Sequence, residues 1–145
     1  MRDLHNNLNA FHATSPQVAT TDVLSDAIDL QGYEGAEIFA LLGASGTSLS
    51  GSVKVEGKLT ECATSGGSYT AVAEADMLGA ISGTSTGSFF LADATSEDET
   101  TYKVGYIGSK RYLKVNLDLT GTFSGGGIPV GVVVARGVPR RAAVS

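Results

Sequence analysis

Alternation of apolar and polar residues narrows the possible folds of this chain more than anything else in it. Leu49, Gly51, Val53, Val55, Gly57 and Leu59 alternate with Ser50, Ser52, Lys54, Glu56, Lys58 and Thr60. Leu113, Val115, Leu117 and Leu119 alternate in the same way with Tyr112, Lys114, Asn116 and Asp118. A period of two sends successive side chains to opposite sides of an extended backbone, so each segment predicts a strand with one wet face and one buried face. Residues 36–42 are an apolar run in which only Glu37 is charged, which predicts a strand buried on both faces. Shorter strands are expected at 27–30, 69–73, 89–91, 102–107 and 130–136, the last rich in β-branched residues that suit a pleated sheet. Small and polar residues at 31–35, 43–46, 65–68, 82–88, 108–111 and 125–127 supply the turns. The loop at 108–111 has hairpin length, so 102–107 and 112–119 are expected to pair. With no convincing helix after residue 21, the expected fold is all-β: an antiparallel sandwich or barrel, jelly-roll-like.

Residues 1–21 differ from the rest. Leu4, Leu8 and Phe11 follow an i, i+4, i+7 spacing that would line one face of a short helix, but Asn6, Asn7 and Asn9 disfavour helix and Pro16 limits it. The segment predicts an extended or partly helical arm that gains order by docking on its own domain or on a neighbouring subunit. The expected organisation is an arm at 1–21, a β-sandwich at 22–138 and a basic tail at 139–145. Burying Leu4, Leu8 and Phe11 is worth roughly 5–8 kcal/mol before ordering costs of about 1–2 kcal/mol per residue. Such an arm binds weakly alone, so body contacts or oligomerisation must add to it. Arg136, Arg140 and Arg141 form the basic cluster of an otherwise acidic chain, a polarity suited to electrostatic registration between subunits.

Composition limits the chemistry available. The chain has 145 residues and a net charge of −5, the wrong sign for a protein that wraps phosphates, so no nucleic-acid partner is expected. The N-terminal residues lack an apolar core for a secretory signal, and the apolar stretch at 128–134 is broken by Pro129 and Gly131, so neither export nor membrane spanning is expected. A single cysteine, Cys62, excludes an internal disulfide and reads as a buried thiol. His5 and His12 are seven residues apart in the arm, which is not the spacing that lets two imidazoles grip one metal. Asp93, Glu97, Asp98 and Glu99 match no calcium loop and read as a solvated turn. Gly125, Gly126 and Gly127 precede a strand and therefore make no phosphate-binding loop. Tyr33, Tyr69, Tyr102, Tyr106 and Tyr112 fit cross-strand packing better than a sugar platform. No acid, base, nucleophile or metal set assembles, so the expectation is a protein without enzymatic activity, metal or cofactor.

The stretch Tyr102-Lys103-Val104-Gly105-Tyr106-Ile107-Gly108-Ser109-Lys110-Arg111-Tyr112-Leu113-Lys114-Val115 resembles a hairpin of small tailed-bacteriophage proteins encoded in the head module beside the major capsid protein. Met1-Arg2-Asp3-Leu4, Asp29-Leu30-Gln31-Gly32-Tyr33, Tyr69-Thr70-Ala71-Val72-Ala73 and Leu78-Gly79 are similar to the same family, in order along most of the chain. The Ser/Gly/Thr segment at 82–88 and the Arg-rich end depart from its pattern. The resemblance implies a virion structural protein: a capsid decoration or cement protein, made in the host cytoplasm, that binds the outside of the bacteriophage head at subunit junctions. Its implied partners are the major capsid protein and further copies of itself, with a trimer at a local threefold as the expected oligomer. Arg2, Leu4, Leu8, Phe11, Arg136, Arg140 and Arg141 are the candidate capsid and subunit contacts. A neck or tail component is the first alternative. The second is a virion-displayed module that binds host surface or glycan through the loops at 82–88 and 97–100.

Overall fold

The alternating segments become strands of two antiparallel sheets that enclose a single core. The protein is seen in a computed structural model that describes residues 4–79 and 85–139. In chain order the strands are β1 (Leu8–Ala19), β2 (Val23–Leu24), β3 (Ile28–Asp29), β4 (Tyr33–Leu42), β5 (Lys54–Cys62), β6 (Thr70–Ala71), β7 (Met77–Leu78), β8 (Ser88–Ala92), β9 (Thr101–Tyr106), β10 (Tyr112–Thr120) and β11 (Ile128–Pro139). The first sheet runs β1-β11-β4-β9-β7. In the second, β10 and β5 pair along their length, β2 and β3 flank β10, and β6 and β8 flank β5. β4, β9 and β11 lie in the first sheet and β5 and β10 in the second, so from β4 onward the chain passes back and forth across the core, and β1 pairs with β11. The fold expectation therefore holds, as a sandwich.

The core follows from the period of two. Ile38 and Ala40 of β4 and Val132 and Val134 of β11 face Val55 and Leu59 of β5 and Leu113, Val115 and Leu117 of β10, all fully buried. Phe90 of β8 lies flat on Tyr102 of β9, centroids 4.2 Å apart and planes 11° apart, so the two sheets also meet through stacked rings. Gly57 leaves the space that Phe90 fills: a Cβ there would lie 2.0 Å from the ring.

Three expectations change. First, 102–107 and 112–119 do not pair: β9 pairs with β4 and β7, whereas β10 pairs with β5 in the other sheet. Strands that face each other across a core carry the same alternation as neighbours in one sheet, so sequence alone does not separate the two cases. The intervening loop crosses between sheets, pinned by Tyr106, whose hydroxyl donates to Glu61 Oε2 at 2.6 Å and accepts the Lys110 N–H at 2.9 Å. Second, β4 is buried on one face only, because Leu41 on its other face is exposed. Third, residues 49–53 precede the strand as a tight turn, closed by reciprocal backbone hydrogen bonds between Ser50 and Val53.

The arm is extended and docks on its own domain, one of the two courses expected of it. Leu8–Ala19 is a twelve-residue edge strand on β11, where its backbone groups gain partners that a lone short helix would lack. The helical spacing survives as one turn, in which the Asn7 and Leu8 N–H groups both donate to the Leu4 carbonyl. At the other end β11 continues through Pro139, so the sheet includes the first residue of the expected tail.

Candidate functional site

Of the expected contact residues, Leu4, Leu8, Phe11 and Arg136 sit at one end of the first sheet. Arg136 of β11 lies between the rings of Phe11 and Tyr33, 5.0 and 4.8 Å from their centroids. Its guanidinium donates to the Asp29 carbonyl at 2.8 Å and to the Asn9 side-chain oxygen. The structure thus brings Phe11 and Arg136 together within one chain, as a strut joining β1, β3, β4 and β11. Leu8 packs over Gly137 and stays 46% exposed, and Leu4 on the adjoining turn is 62% exposed. Arg2, Arg140 and Arg141 lie outside the described residues.

Next to the strut, Arg111 grips Asp29 with two hydrogen bonds of 2.8 and 2.7 Å and also reaches Gln31. The Arg111 hydrogen bonds hold the Asp29 carboxyl below its ordinary value. A cleft of about 290 Å³ opens here, lined by Leu30, Gln31, Tyr33, Tyr106, Lys110 and Arg111 among others. Burial, and next the bond to Glu61, push the Tyr106 hydroxyl far above the ordinary tyrosine range, so it stays protonated and fixed. The polar groups of this cleft mostly hold its own loops in place.

The acidic turn is likewise structural. Glu97 accepts the N–H groups of Asp93 and Ala94 at 2.8 and 2.9 Å, and Asp98 accepts that of Ser45 at 2.9 Å. No group of three or more His, Cys, Asp or Glu side chains is placed to hold a metal among the described residues. Cys62 is half-buried, with its thiol 4.0 Å from the Thr64 hydroxyl. Of the expected binding loop at 82–88, Ser88 is buried in β8 with its hydroxyl on Glu56.

The outer faces of the two sheets differ in kind. That of β5 and β10 is charged and internally satisfied. Lys58 bridges Glu56, at 3.4 Å, and Asp118; Asn116 donates to Asp118 at 2.8 Å; and Lys114 lies over Tyr69, 4.7 Å from the ring centre. Burial raises the Glu56 carboxyl, but the hydrogen bond from Ser88, with those of the Ser85 N–H and Lys58, brings it below its ordinary value. The face of β1, β11 and β4 is nearly uncharged. Its outward residues pair across the strands as Leu8 with Gly137, Ala10 with Ala135 and His12 with Val133, then Val133 with Phe39 and Gly131 with Leu41; Glu37, opposite Ala135, is the charged member.

At one end this face sinks into a groove of about 560 Å³ walled by Pro16, Val18, Leu41, Pro129 and Val133, with Gly131 beneath. Val18, Leu41 and Val133 are 60%, 42% and 37% exposed. Register shifts on either side of Thr14 set Pro16 over Gly131, where the missing side chain leaves the depression. Thr14 at the groove is only 6% exposed, and its hydroxyl has no hydrogen-bond partner among the described residues. Sequence reasoning missed this surface because Leu41 and Val133 lie in runs that read as core. The available signal was the pairing of small or apolar outward positions on three adjacent strands.

Fold and surface together define an antiparallel β-sandwich domain with one solvated sheet face and one apolar sheet face. No protein-family model matches the chain, and no curated protein matches it. Among solved structures it is similar to the SPBc2 prophage-derived protein YomS, at 16% identity and a TM-score of 0.46, over 92% of this chain and 99% of that one. It is also similar to part of the xylanase Xyn10B of Clostridium thermocellum, a structure of CBM22-1 and GH10 modules complexed with xylohexaose. There the identity is 10% and the TM-score 0.42, over 92% of this chain and 29% of that one. A family two carbohydrate esterase from Cellvibrio japonicus aligns at 11% identity and a TM-score of 0.35, over 95% of this chain and 36% of that one. At these identities and scores none of them carries a function over to this chain.

Proposed function

We propose that this protein is a structural component of a tailed-bacteriophage virion, a decoration or cement protein on the outer surface of the head with no enzymatic activity. The observation that carries the proposal is the contrast between the two outer faces. A domain that stays alone in water has no use for three adjacent strands whose outward residues are mostly Leu, Ala, Val, Phe and Gly, with Glu37 the charged member, beside a second sheet whose outer face carries paired charges. The apolar face is an assembly contact. The head-module resemblance of the sequence supplies the setting, with the major capsid protein as partner at subunit junctions. Weak contacts suffice there, because many symmetrically arranged copies add small energies.

Quantitative mass spectrometry of purified virions, with the major capsid protein as reference, tests this directly. Copies on the order of hundreds per particle are expected for a lattice-wide role. A handful of copies moves the protein to the neck or tail, and absence from the virion overturns the proposal.

A further inference from the structure

We propose that the apolar face is covered by a second copy of this chain. The two copies are related by a twofold axis, with the Leu4 and Leu8 turn of each seated in the groove of the other. This rests on reading that face as an assembly contact and names its occupant.

Four observations support it. The first is that knob and groove share a face. Leu8 pairs with Gly137, an outward position in step with Ala135, Val133 and Gly131, and its side chain lies 3.2 Å from where a Gly137 Cβ would point. One turn of helix places Leu4 beside Leu8, so the two leucines project together.

The second is that a chain cannot fill its own groove. The knob sits at the start of β1 and the groove centre lies at Pro16, eight residues beyond Leu8, or roughly 27 Å along an extended strand. Two features at opposite ends of one face meet reciprocally when two copies pack antiparallel about a twofold axis, since each contact then occurs twice.

The third is charge. Each molecule carries −5, so two copies repel wherever their carboxylates approach. The knob contributes Leu4 and Leu8, and no Asp, Glu, Lys or Arg lines the groove. The seating of knob in groove is therefore free of charged side chains, and Glu37, opposite Ala135, is the carboxylate that the face between them carries.

The fourth is area. Three strands about 4.8 Å apart and up to twelve residues long span roughly 14 Å by 40 Å, about 560 Å² in plan before the relief of side chains is counted. That approaches the ~800 Å² per partner of a standard interface, so the expected dimer is real but of modest affinity.

The test is sedimentation velocity of the full chain over a concentration series, with two double variants. L4S/L8S removes the knob, and L41E/V133E places charge in the groove. All four positions are exposed, and far-UV circular dichroism with a thermal melt verifies that each variant is folded. Wild type is expected to dimerise reversibly, and each variant to dissociate about tenfold or more readily. An equimolar mixture of the two variants is expected to recover part of the association, because a mixed dimer rejoins one intact knob to one intact groove. A wild type that stays monomeric, a trimer or open-ended growth, variants that dimerise like wild type, or a mixture with no recovery each overturn the inference. A monomer found abundantly in virions sinks the inference and leaves the proposed function standing; a dimer absent from virions does the reverse.

Discussion

Substituting Gly57 by alanine tests the account of the core where it is most specific. A Cβ at Gly57 would stand 2.0 Å from Phe90 Cε1 and 2.4 Å from Cδ1. An ordinary carbon contact needs about 3.5–4.0 Å, so the ring must retreat by roughly 1.5–2 Å. It has little room to do so. Phe90 is buried, its face is stacked on Tyr102 at 4.2 Å, and the Tyr102 hydroxyl is held by the Glu97 carbonyl at 2.8 Å. Overpacking costs about 1–3 kcal/mol, and loss of the stacked pair about 0.5–1.5 kcal/mol more. Replacing a strand glycine by alanine returns about 0.5–1 kcal/mol. The expected net loss is about 2–3 kcal/mol, read as a lower urea midpoint at unchanged slope. The double variant G57A/F90L decides the cause, since shrinking the ring relieves the clash. F90L is expected to cost about 1 kcal/mol or more less in the G57A background than in wild type. A G57A protein as stable as wild type, or strictly additive variants, refutes the reasoning.

Two further predictions use single groups. Thr14→Val replaces a buried hydroxyl that has no partner among the described residues, so it is expected to stabilise the fold by about 1–2 kcal/mol in urea titration; a loss of stability would show that the hydroxyl is bonded. Asp29 is held below its ordinary value of 3.8, first by its hydrogen bonds from Arg111. A depressed carboxylate stabilises the fold above its unfolded-state value and loses that contribution as pH falls through its folded-state value. Asp29→Asn is therefore expected to lower stability at neutral pH and to flatten the decline on acidification below about pH 4, measured by thermal melts across pH. An unchanged pH profile would remove Asp29 from the acid transition.

How far the sequence was legible depended on whether a feature is local or lies in the pairing. The alternation at Leu113, Val115 and Leu117 carried directly into buried positions on β10, and Val55, Gly57 and Leu59 did so on β5. Connectivity was not legible in the same way, because β9 and β10 show their apolar faces to one core from opposite sheets. Phe11 and Arg136 were singled out as contacts, yet they stack on each other, a pairing that exists only once β1 lies on β11. The apolar face was hidden for the same reason. Leu41 and Val133 each looked like core in their own segments, and only the β11 register sets them side by side facing outward.

The same register explains why association is expected through a sheet face and not through a sheet edge. β1 is the edge of its sheet, and a long flat edge of twelve residues would invite strand addition by any extended chain. Its ladder is interrupted twice, between His12 and Thr14 and between Thr14 and Gln17, and Pro16 in the second interruption has no N–H to offer a new strand. The opposite edge, β7, is only two residues long. Both edges are therefore poor templates, and the interruption that spoils β1 as an edge is the one that sets Pro16 over Gly131 and opens the groove. One local distortion closes the route by backbone pairing and creates the route by side-chain packing. Restoring regular pairing by deleting a residue between Thr14 and Gln17 should thus weaken dimerisation while lengthening the β1 ladder, an outcome that amide exchange and sedimentation can read in the same sample.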